Sequence, residues 1–215
     1  MKIAIIGSGN VGSALGRSLI GAGHEVSLTA QDETKTATVA DEIGASVGTS
    51  VVAAVEAADV VVLAIPYGAV EIVAAEIVGA TAGKTVIDTT NPVRQDFSGL
   101  ATEGGPSGAE RIAAYLPGAH LVKAFNTLFA SIQGNTTVHG QIVDGLIAGD
   151  DAVAKATVAS LMKSIGLRPV DAGPLASARE LESLAWLNIA LQARTGGSWN
   201  SSFVLVGAPE KAIAA

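Results

Sequence analysis

A glycine motif, G-x-G-x-x-G over residues 7–12, constrains the fold of this 215-residue chain more than any other feature. It follows a short apolar strand over residues 2–6 and opens an amphipathic helix, the context in which the motif indicates a dinucleotide site. Gly7 permits the tight turn out of the strand. Gly9 has no Cβ, so backbone amides can approach a pyrophosphate, and Gly12 lets the helix lie close to the sheet.

The backbone amides at the start of this helix carry the second part of the prediction. The first amides of an α-helix have no partner within the helix, and the helix dipole makes this end positive. We therefore expect the amides of Ser8, Asn10 and Val11 to face an anion. The alternative is a plain glycine turn between a strand and a helix, with no ligand.

Composition and charge exclude several classes of protein. Apolar residues make up 49% of the chain and charged residues 15%, which disfavours disorder. The absence of cysteine excludes disulfides and thiol chemistry, and three scattered histidines predict no zinc site. A net charge of −7 argues against nucleic acid as a partner, and the apolar stretch at 60–65 is too short to span a membrane. We therefore expect a cytoplasmic protein whose partners are small molecules, with no role at a membrane.

Alternating strand and helix patterns predict an α/β fold, namely a Rossmann-type doubly wound, mostly parallel sheet with a small C-terminal α/β extension. We place the dinucleotide-binding core at residues 1–128 and the extension, packed on the same domain, at 129–215. Strands are predicted at 2–6, 25–28, 45–47, 59–65, 84–88, 120–124, 143–148 and 167–170. Helices are predicted at 10–21, 34–43, 51–57, 68–78, 150–164 and 175–194.

Two further segments show no clear hydrophobic periodicity, of either the helical or the strand type. Residues 92–108 are polar and rich in glycine, and a loop this long is either a lid over a site or a solvated surface segment. Residues 199–206 are expected to pair as an edge strand or to cross to a partner subunit.

Several short stretches in a fixed order resemble one known family. They lie at residues 7–12, 23–26, 64–67, 90–92, 123–127, 148–151, 166–175 and 181–185. The set resembles the coenzyme F420-dependent NADP oxidoreductases, and it is also similar to the cytosolic reductase domain of six-transmembrane metalloreductases. The resemblance implies hydride transfer between NADP(H) and a flat acceptor, a deazaflavin or a flavin. It also implies a homodimer, with the acceptor site and dimer contacts in the extension.

The resemblance assigns roles to residues at the carboxyl ends of several strands, where open α/β sheets bind ligands. The pyrophosphate would be held by Ser8, Gly9, Asn10 and Val11, with Gly7 and Gly12 also in the cofactor-binding turn and with Gln31 and Asp32 near the ribose. The nucleotide would be lined by Ala64, Ile65, Pro66, Tyr67 and Val70. The nicotinamide would be framed by Asn91, Pro92, Ala124, Phe125 and Asn126. No metal is implied.

Two positions depart from the family pattern. Members with a firm NADP preference tend to carry serine and arginine where this chain has Ala30 and Gln31, and Asp32 would repel a 2′-phosphate. NADP is favoured by the resemblance, while NAD remains open because Asp32 lies near the usual place of a ribose-binding acid. Asn126 stands where F420-specific enzymes often carry histidine, which leaves flavin and other acceptors open beside F420.

The supply of acids and bases near the expected site is poor. His24 lies in the turn before the second strand and His120 begins the sixth. Both are at the end of the sheet away from the site, and they are expected to be structural. Lys123 is the best-placed ionisable group. It would bind an anionic substrate group or donate a proton, or else carry its amine in solvent. Lys123 and Asn126 are the catalytic candidates.

A site with few acids and bases fits direct hydride transfer between two stacked planar rings, in which catalysis reduces to alignment and exclusion of water. Two alternatives remain open. One is an imine or carbonyl reductase of the pyrroline-carboxylate reductase type, which would rely on Lys123. The other is a dinucleotide-binding redox sensor without turnover.

Overall fold

The structure, a computed structural model, describes residues 1–102 and 104–207. Its strands are β1 (Lys2–Ile6), β2 (Glu25–Thr29), β3 (Ser46–Val47), β4 (Val60–Leu63), β5 (Thr85–Asp88), β6 (His120–Ala124), β7 (Thr137–Val138), β8 (Gln141–Ile142), β9 (Asp144–Gly149) and β10 (Arg168–Gly173). Its α-helices are α1 (Asn10–Gly21), α2 (Glu33–Ile43), α3 (Val51–Ala57), α4 (Val70–Ile77), α5 (Gly108–Tyr115), α6 (Ala130–Gln133), α7 (Ala152–Ser164) and α8 (Ala178–Thr195). Short 3-10 turns lie at Tyr67–Ala69, Val78–Ala80 and Leu175–Ser177.

Eight strands form one sheet in the order β10-β9-β6-β5-β4-β1-β2-β3. The six strands from β6 to β3 are parallel, whereas β9 runs antiparallel to β6 and β10 is parallel to β9. This arrangement confirms the predicted Rossmann-type, mostly parallel sheet. The extension adds its two long strands to the same sheet, and β7 and β8 form a separate hairpin.

Both faces of the sheet are covered by apolar packing. Ile3, Ile5 and Val62 belong to a cluster that includes residues of α1, α2 and α7. Ile6 and Leu63 belong to a second cluster, formed with α3, α4 and α5. Burial on both faces explains why the parallel strands are almost continuous apolar runs rather than alternating ones.

The strand register brings several loops to one edge of the sheet. Ile6 pairs with Thr29 on one side and with Leu63 on the other, while Leu63 pairs with Asp88 and Asp88 with Lys123. Five parallel strands therefore end at one level. Apart from Val70 in α4, the predicted site residues lie at the ends of these strands or in the segments that follow them, and so share this edge.

Short polar residues fix where several helices begin. The side chains of Ser50 and Asp151 accept the amides of Ala53 and Ala154, and so cap α3 and α7. At α5, Ser107 and Glu110 form a capping box. The helices α5 and α6 and the β7–β8 hairpin have no counterpart among the elements predicted from the sequence. The Ser107–Glu110 spacing was the available signal for α5, and the predicted loop of 92–108 ends there.

The segment over residues 199–206 was expected to be an edge strand or to cross to a partner. It joins neither sheet in the described part of the chain. Instead it lies against α8 and reaches Asp144 at the start of β9. Its polar partners are side chains, so it forms no strand ladder.

None of the helices in the described ranges is long and apolar enough to cross a membrane.

Candidate functional site

Two of the three motif glycines are required by the packing of the protein itself. Gly7 has a φ of +119°, and a Cβ at this position would overlap with the carbonyl oxygen of Ala64. A Cβ on Gly12 would overlap with the carbonyl oxygen of Gly7. These glycines bring β1, β4 and the first turn of α1 into close contact, as the motif predicts.

Gly9 is different, because nothing in the protein requires a glycine there. Its φ of −77° suits any residue, and a Cβ would meet no heavy atom within 4 Å. It is the N-cap of α1, yet no side chain caps this end and the first turn holds no acidic residue. Open space therefore lies in front of uncapped amides, which is the arrangement that fits a diphosphate bridge.

The residues between the glycines divide into two roles. The Ser8 hydroxyl is buried and lies 3.0 Å from the hydroxyl of Thr36 on α2, so it ties the turn to the next helix. Asn10 and Val11 line a cavity that extends away from the motif. The turn is thus held in place by Ser8 while its helix start remains accessible.

Gln31 and Asp32 follow β2 and are both exposed. One carboxylate oxygen of Asp32 accepts the amide of Lys35 at 2.9 Å, so Asp32 is the N-cap of α2. This contact gives the acid a structural role that needs no ribose. The N-cap role therefore explains an acid at position 32 without deciding between the two forms of the dinucleotide.

The segment after β4 contributes backbone and one aromatic ring. The amide of Ala64 donates to the carbonyl of Ile6 at 2.8 Å, while Ile65 is half-buried and Pro66 exposed. Val70, predicted to contact the cofactor, packs instead in the core with 1% exposure, and its amide donates to the Tyr67 carbonyl. Since both its side chain and its amide are engaged, that prediction finds no support in the geometry.

Tyr67 packs on the start of α5, where its ring lies close to Gly108. Partial burial raises the pKa of the Tyr67 phenol, and the neighbouring Arg111 guanidinium opposes part of that rise. The phenol therefore stays neutral across the physiological range and is a weak proton donor there.

Asn91 and Asn126 connect the ends of β5 and β6. The Asn91 side chain donates through Nδ2 to the backbone carbonyl of Asn126 at 2.8 Å. The side-chain nitrogen Nδ2 of Asn126 donates in turn to Oδ1 of Asn91 at 2.9 Å. The same nitrogen also donates to the carbonyl of Leu181 on α8 at 3.2 Å. Because that carbonyl can only accept, the orientation of the Asn126 amide is fixed.

This orientation leaves the Asn126 Oδ1 atom without a hydrogen-bond partner although it is buried. A buried acceptor with no partner costs free energy, and in a native protein it indicates a missing donor. The preceding residue, Phe125, has a φ of +62°, which is unfavourable for a side chain of this size. Strain and an unpaired acceptor thus lie side by side at the end of β6.

A cavity of about 440 Å³ connects these features. Its walls come from α1, from the ends of β5 and β6, from α8 and from the segment after α8. The lining residues are Asn10, Val11, Thr89, Asn91, Phe125, Asn126, Thr127, Leu128, Phe129, Ala130, Ser131, Ala185, Asn188, Ile189, Ser198 and Trp199. Among the described residues that line it there is no aspartate, glutamate, lysine, arginine or histidine.

Lys123 lies outside this cavity, in a closed ionic network. Its side chain has no exposed surface, and its amine lies 2.8 Å from Asp88, 3.1 Å from Glu182 and 2.5 Å from the Thr90 carbonyl. Glu182 also accepts the amides of Gly108 and Ala109 at the start of α5. The expectation of an amine in solvent is wrong, and burial between two carboxylates removes the amine from any bound molecule.

The two remaining titratable candidates, His24 and His120, contact other side chains of the protein. The imidazole of His24 contacts the Ser164 hydroxyl at 3.1 Å, and that of His120 lies 3.3 Å from Asp151. A second cavity, of about 750 Å³, lies between residues 98–102 and 104–107 on one side and α8 on the other, and none of the predicted cofactor residues lines it. No cluster of metal-ligating side chains occurs within the described ranges.

Comparison with known proteins gives a consistent result. A family profile described as NADP oxidoreductase, coenzyme F420-dependent, matches residues 2–92. The F420-dependent NADP reductase of Methanothermobacter thermautotrophicus is 32% identical over 214 residues, which cover 90% of each chain. A crystal structure from Arthrobacter sp. FB24, of a presumed F420-dependent NADP-reductase, superposes with a TM-score of 0.84. It shares 27% identity and covers 95% of this chain and all of that one.

A rat protein, Metalloreductase STEAP3, is 30% identical over 185 residues. The match covers 85% of this chain but only 36% of the rat protein. The chain therefore corresponds to about a third of that metalloreductase.

Proposed function

Because the chain belongs to the F420-dependent NADP oxidoreductase family, we propose that it transfers a hydride between NADP(H) and a flat, aromatic electron acceptor of the deazaflavin or flavin type. The observation that carries the proposal is the uncharged cavity that runs from the uncapped start of α1 to Trp199. The family suggests the dinucleotide, and the character of the cavity suggests the kind of acceptor.

The residues around α1 fit the dinucleotide. The amides at the start of α1 would hold the pyrophosphate across the space left by Gly9. The unpaired Oδ1 of Asn126 would accept a hydrogen bond from the carboxamide of the nicotinamide. Two neighbours would fix the position of this Oδ1 atom. Asn91 would do so through its hydrogen bonds to Asn126, and Phe125 through its left-handed backbone conformation.

NADP is the form we propose, on the strength of the family. Gln31 offers neutral hydrogen bonds near the ribose, and the N-cap contact of Asp32 directs one of its oxygens to the Lys35 amide. NAD remains the alternative form, since the arginine that would pair with a 2′-phosphate is missing at position 31.

When bound, the reduced nicotinamide supplies a hydride to the acceptor ring, which leaves the nicotinamide oxidised and the acceptor reduced by two electrons. A proton from solvent completes the reduced acceptor. The protein then needs no acid or base of its own, which agrees with the cavity lining. The contribution of the chain would be to align the two rings and to exclude water from between them. The apolar side chains of the lining that would do this are Val11, Phe125, Leu128 and Ile189.

The imine or carbonyl reductase alternative requires a proton donor at the substrate. Lys123 is paired with two carboxylates in the interior, and Tyr67 packs on the start of α5 and is not among the residues that line the cavity. Neither group suits that role. A redox sensor without turnover would need only the dinucleotide half of the site, and the cavity beyond Asn126 would then have no use.

Turnover assays test the proposal. Purified protein is mixed under anaerobic conditions with NADPH or NADH and either oxidised F420 or FMN, and loss of the reduced-nicotinamide absorbance is followed. We expect turnover with NADPH and at least one acceptor, and slower turnover with NADH. Binding of NADPH without turnover on either acceptor would contradict the proposal and favour the sensor.

We also propose that the protein is a cytoplasmic homodimer. The outer side of α8 exposes Leu187 and Leu191, which are about half accessible, and such a surface suits a second copy. Light scattering of the eluted protein measures the mass directly. A mass of one chain at micromolar concentration would contradict the dimer.

A further inference from the structure

Trp199 occupies an unusual position for a tryptophan. It is 43% exposed, and its φ of +54° lies in the left-handed region that side chains of this size avoid. Its ring and that of Phe129 form a T-shaped pair, with centroids 5.3 Å apart and planes at 78°. Both rings line the uncharged cavity. A strained conformation that leaves an aromatic ring partly uncovered suggests a functional reason.

Hydrogen bonds hold Trp199 from both sides. Its amide donates to the Gln192 side chain at 3.0 Å, and its carbonyl accepts from the Ser131 hydroxyl at 2.5 Å. Gly197 lets the chain pass close to Gln192, since a Cβ there would overlap with the Gln192 carboxamide. These bonds fix the backbone of Trp199 beside the cavity, and the contact with Phe129 supports its ring.

The chain after Trp199 is anchored as well. Asn188 of α8 donates to the carbonyl of Ser201 and accepts its hydroxyl at 2.6 Å. Further on, the amide of Leu205 donates to Asp144, and its carbonyl accepts from Arg168. These contacts make residues 197–205 a strap along α8, held at three places. The strap is a fixed wall of the cavity rather than a loose tail.

We propose that Phe129 and Trp199 form the binding subsite for the acceptor ring, and that this subsite selects uncharged, planar, aromatic ring systems. The inference rests on the proposed function and adds the residues that recognise the acceptor. Two aromatic rings at a steep angle offer one face and one edge to a flat ligand, which is the geometry that aromatic contacts favour. An aliphatic carbonyl or imine would gain little from these rings, and the lining holds no charge for an anionic group.

Chemistry on the other walls agrees with this assignment. The cavity takes Asn10 and Val11 from the dinucleotide motif and Ser198 and Trp199 from the strap. A ring against Trp199 would therefore share one uncharged cavity with the nicotinamide end of the dinucleotide.

The chain has only two tryptophans, which allows a direct binding test. Trp186 lines the other cavity, so Trp186→Phe leaves Trp199 as the sole tryptophan reporter and also serves as the matched control. The probe is lumiflavin, a neutral flavin ring without a charged tail, added in the presence of NADP⁺ so that no turnover occurs. We expect saturable quenching of Trp199 fluorescence.

Calorimetric titration of lumiflavin then separates the variants. Trp199→Ala is expected to weaken lumiflavin binding at least about tenfold and to change NADPH binding by less than about twofold, while Trp199→Phe restores most of the affinity. Thermal melts check that each variant folds. Unchanged lumiflavin affinity in Trp199→Ala overturns the subsite alone. If the wild-type chain binds NADPH but neither lumiflavin nor F420, the proposed function fails together with the subsite.

Discussion

Asn91 and Asn126 are hydrogen-bonded to each other in both directions across the carboxyl ends of β5 and β6, at 2.8 and 2.9 Å. The pair uses the donors of Asn126 and leaves its Oδ1 atom as a buried acceptor without a partner. A fixed, unsatisfied acceptor at the floor of the cavity is what a carboxamide donor would recognise. Under the proposed function, this atom would accept a hydrogen bond from the nicotinamide carboxamide.

Asn126→Ala is therefore expected to weaken binding of NADP⁺ by about tenfold, because one hydrogen bond and the fixed floor are lost. The matched ligand is 2′-phospho-ADP-ribose, which lacks the nicotinamide. Its affinity should stay within about twofold of the wild-type value. Calorimetric titration of both ligands measures the difference. Equal losses for the two ligands would place Asn126 away from the nicotinamide.

Gly9→Val should abolish dinucleotide binding without unfolding the protein. The new side chain meets no protein atom near its Cβ, so it would fill only the space in front of the α1 amides. Gly21→Val, at the other end of the same helix and equally free of contacts, is the control. Thermal melts and NADPH titration of both variants make the comparison. Retained affinity in Gly9→Val would show that the pyrophosphate lies elsewhere.

Lys123→Met tests whether Lys123 acts in chemistry or in structure. Removing the amine leaves Asp88 and Glu182 buried without their partner, which typically costs roughly 3–5 kcal/mol of unfolding free energy. Lys155→Met, which breaks the more accessible pair with Asp171, should cost about 1 kcal/mol or less. Denaturant unfolding measures both. A stable Lys123→Met with lost turnover would favour the imine reductase instead.

Glu110 gives a prediction for pH. Hydrogen bonds from Arg179, above all, lower the pKa of Glu110 from 4.5 to about 2. Because the folded value lies below the unfolded one, the stabilisation is complete above pH 4.5 and disappears as the pH falls toward 2. Glu110→Gln should therefore lower the melting temperature at neutral pH, and the deficit should shrink across that window. Glu76→Gln, exposed on α4, is the control. A deficit that does not change with pH would contradict the pairing.

Much of this fold could be predicted from local patterns. The motif at residues 7–12, the apolar runs of β1 and β4 and the cap residues Ser50 and Asp151 act over a few neighbours, so the sequence displays them directly. The helix α5 was missed because its capping box lies inside a glycine-rich stretch. Periodicity gave no signal for a helix of only eight residues.

The site was harder to predict, because its decisive features depend on residues distant in sequence. Lys123 looked accessible at a strand end, and only the packing of Glu182 from α8 shows it to be buried. Val70 lies near the site in sequence but faces the core. Trp199 reaches the cavity only because the strap is held along α8, and no pattern around position 199 reports those contacts.

The most direct test of the account follows a hydrogen label. NADPH that carries deuterium at the transferred position of the nicotinamide is mixed with the protein and oxidised F420, and the reduced acceptor is examined by mass spectrometry and NMR. Direct transfer within a cavity free of acids and bases predicts deuterium on a carbon of the acceptor ring, with none released to water. Reduced F420 without the label, or label found in the solvent, would contradict it.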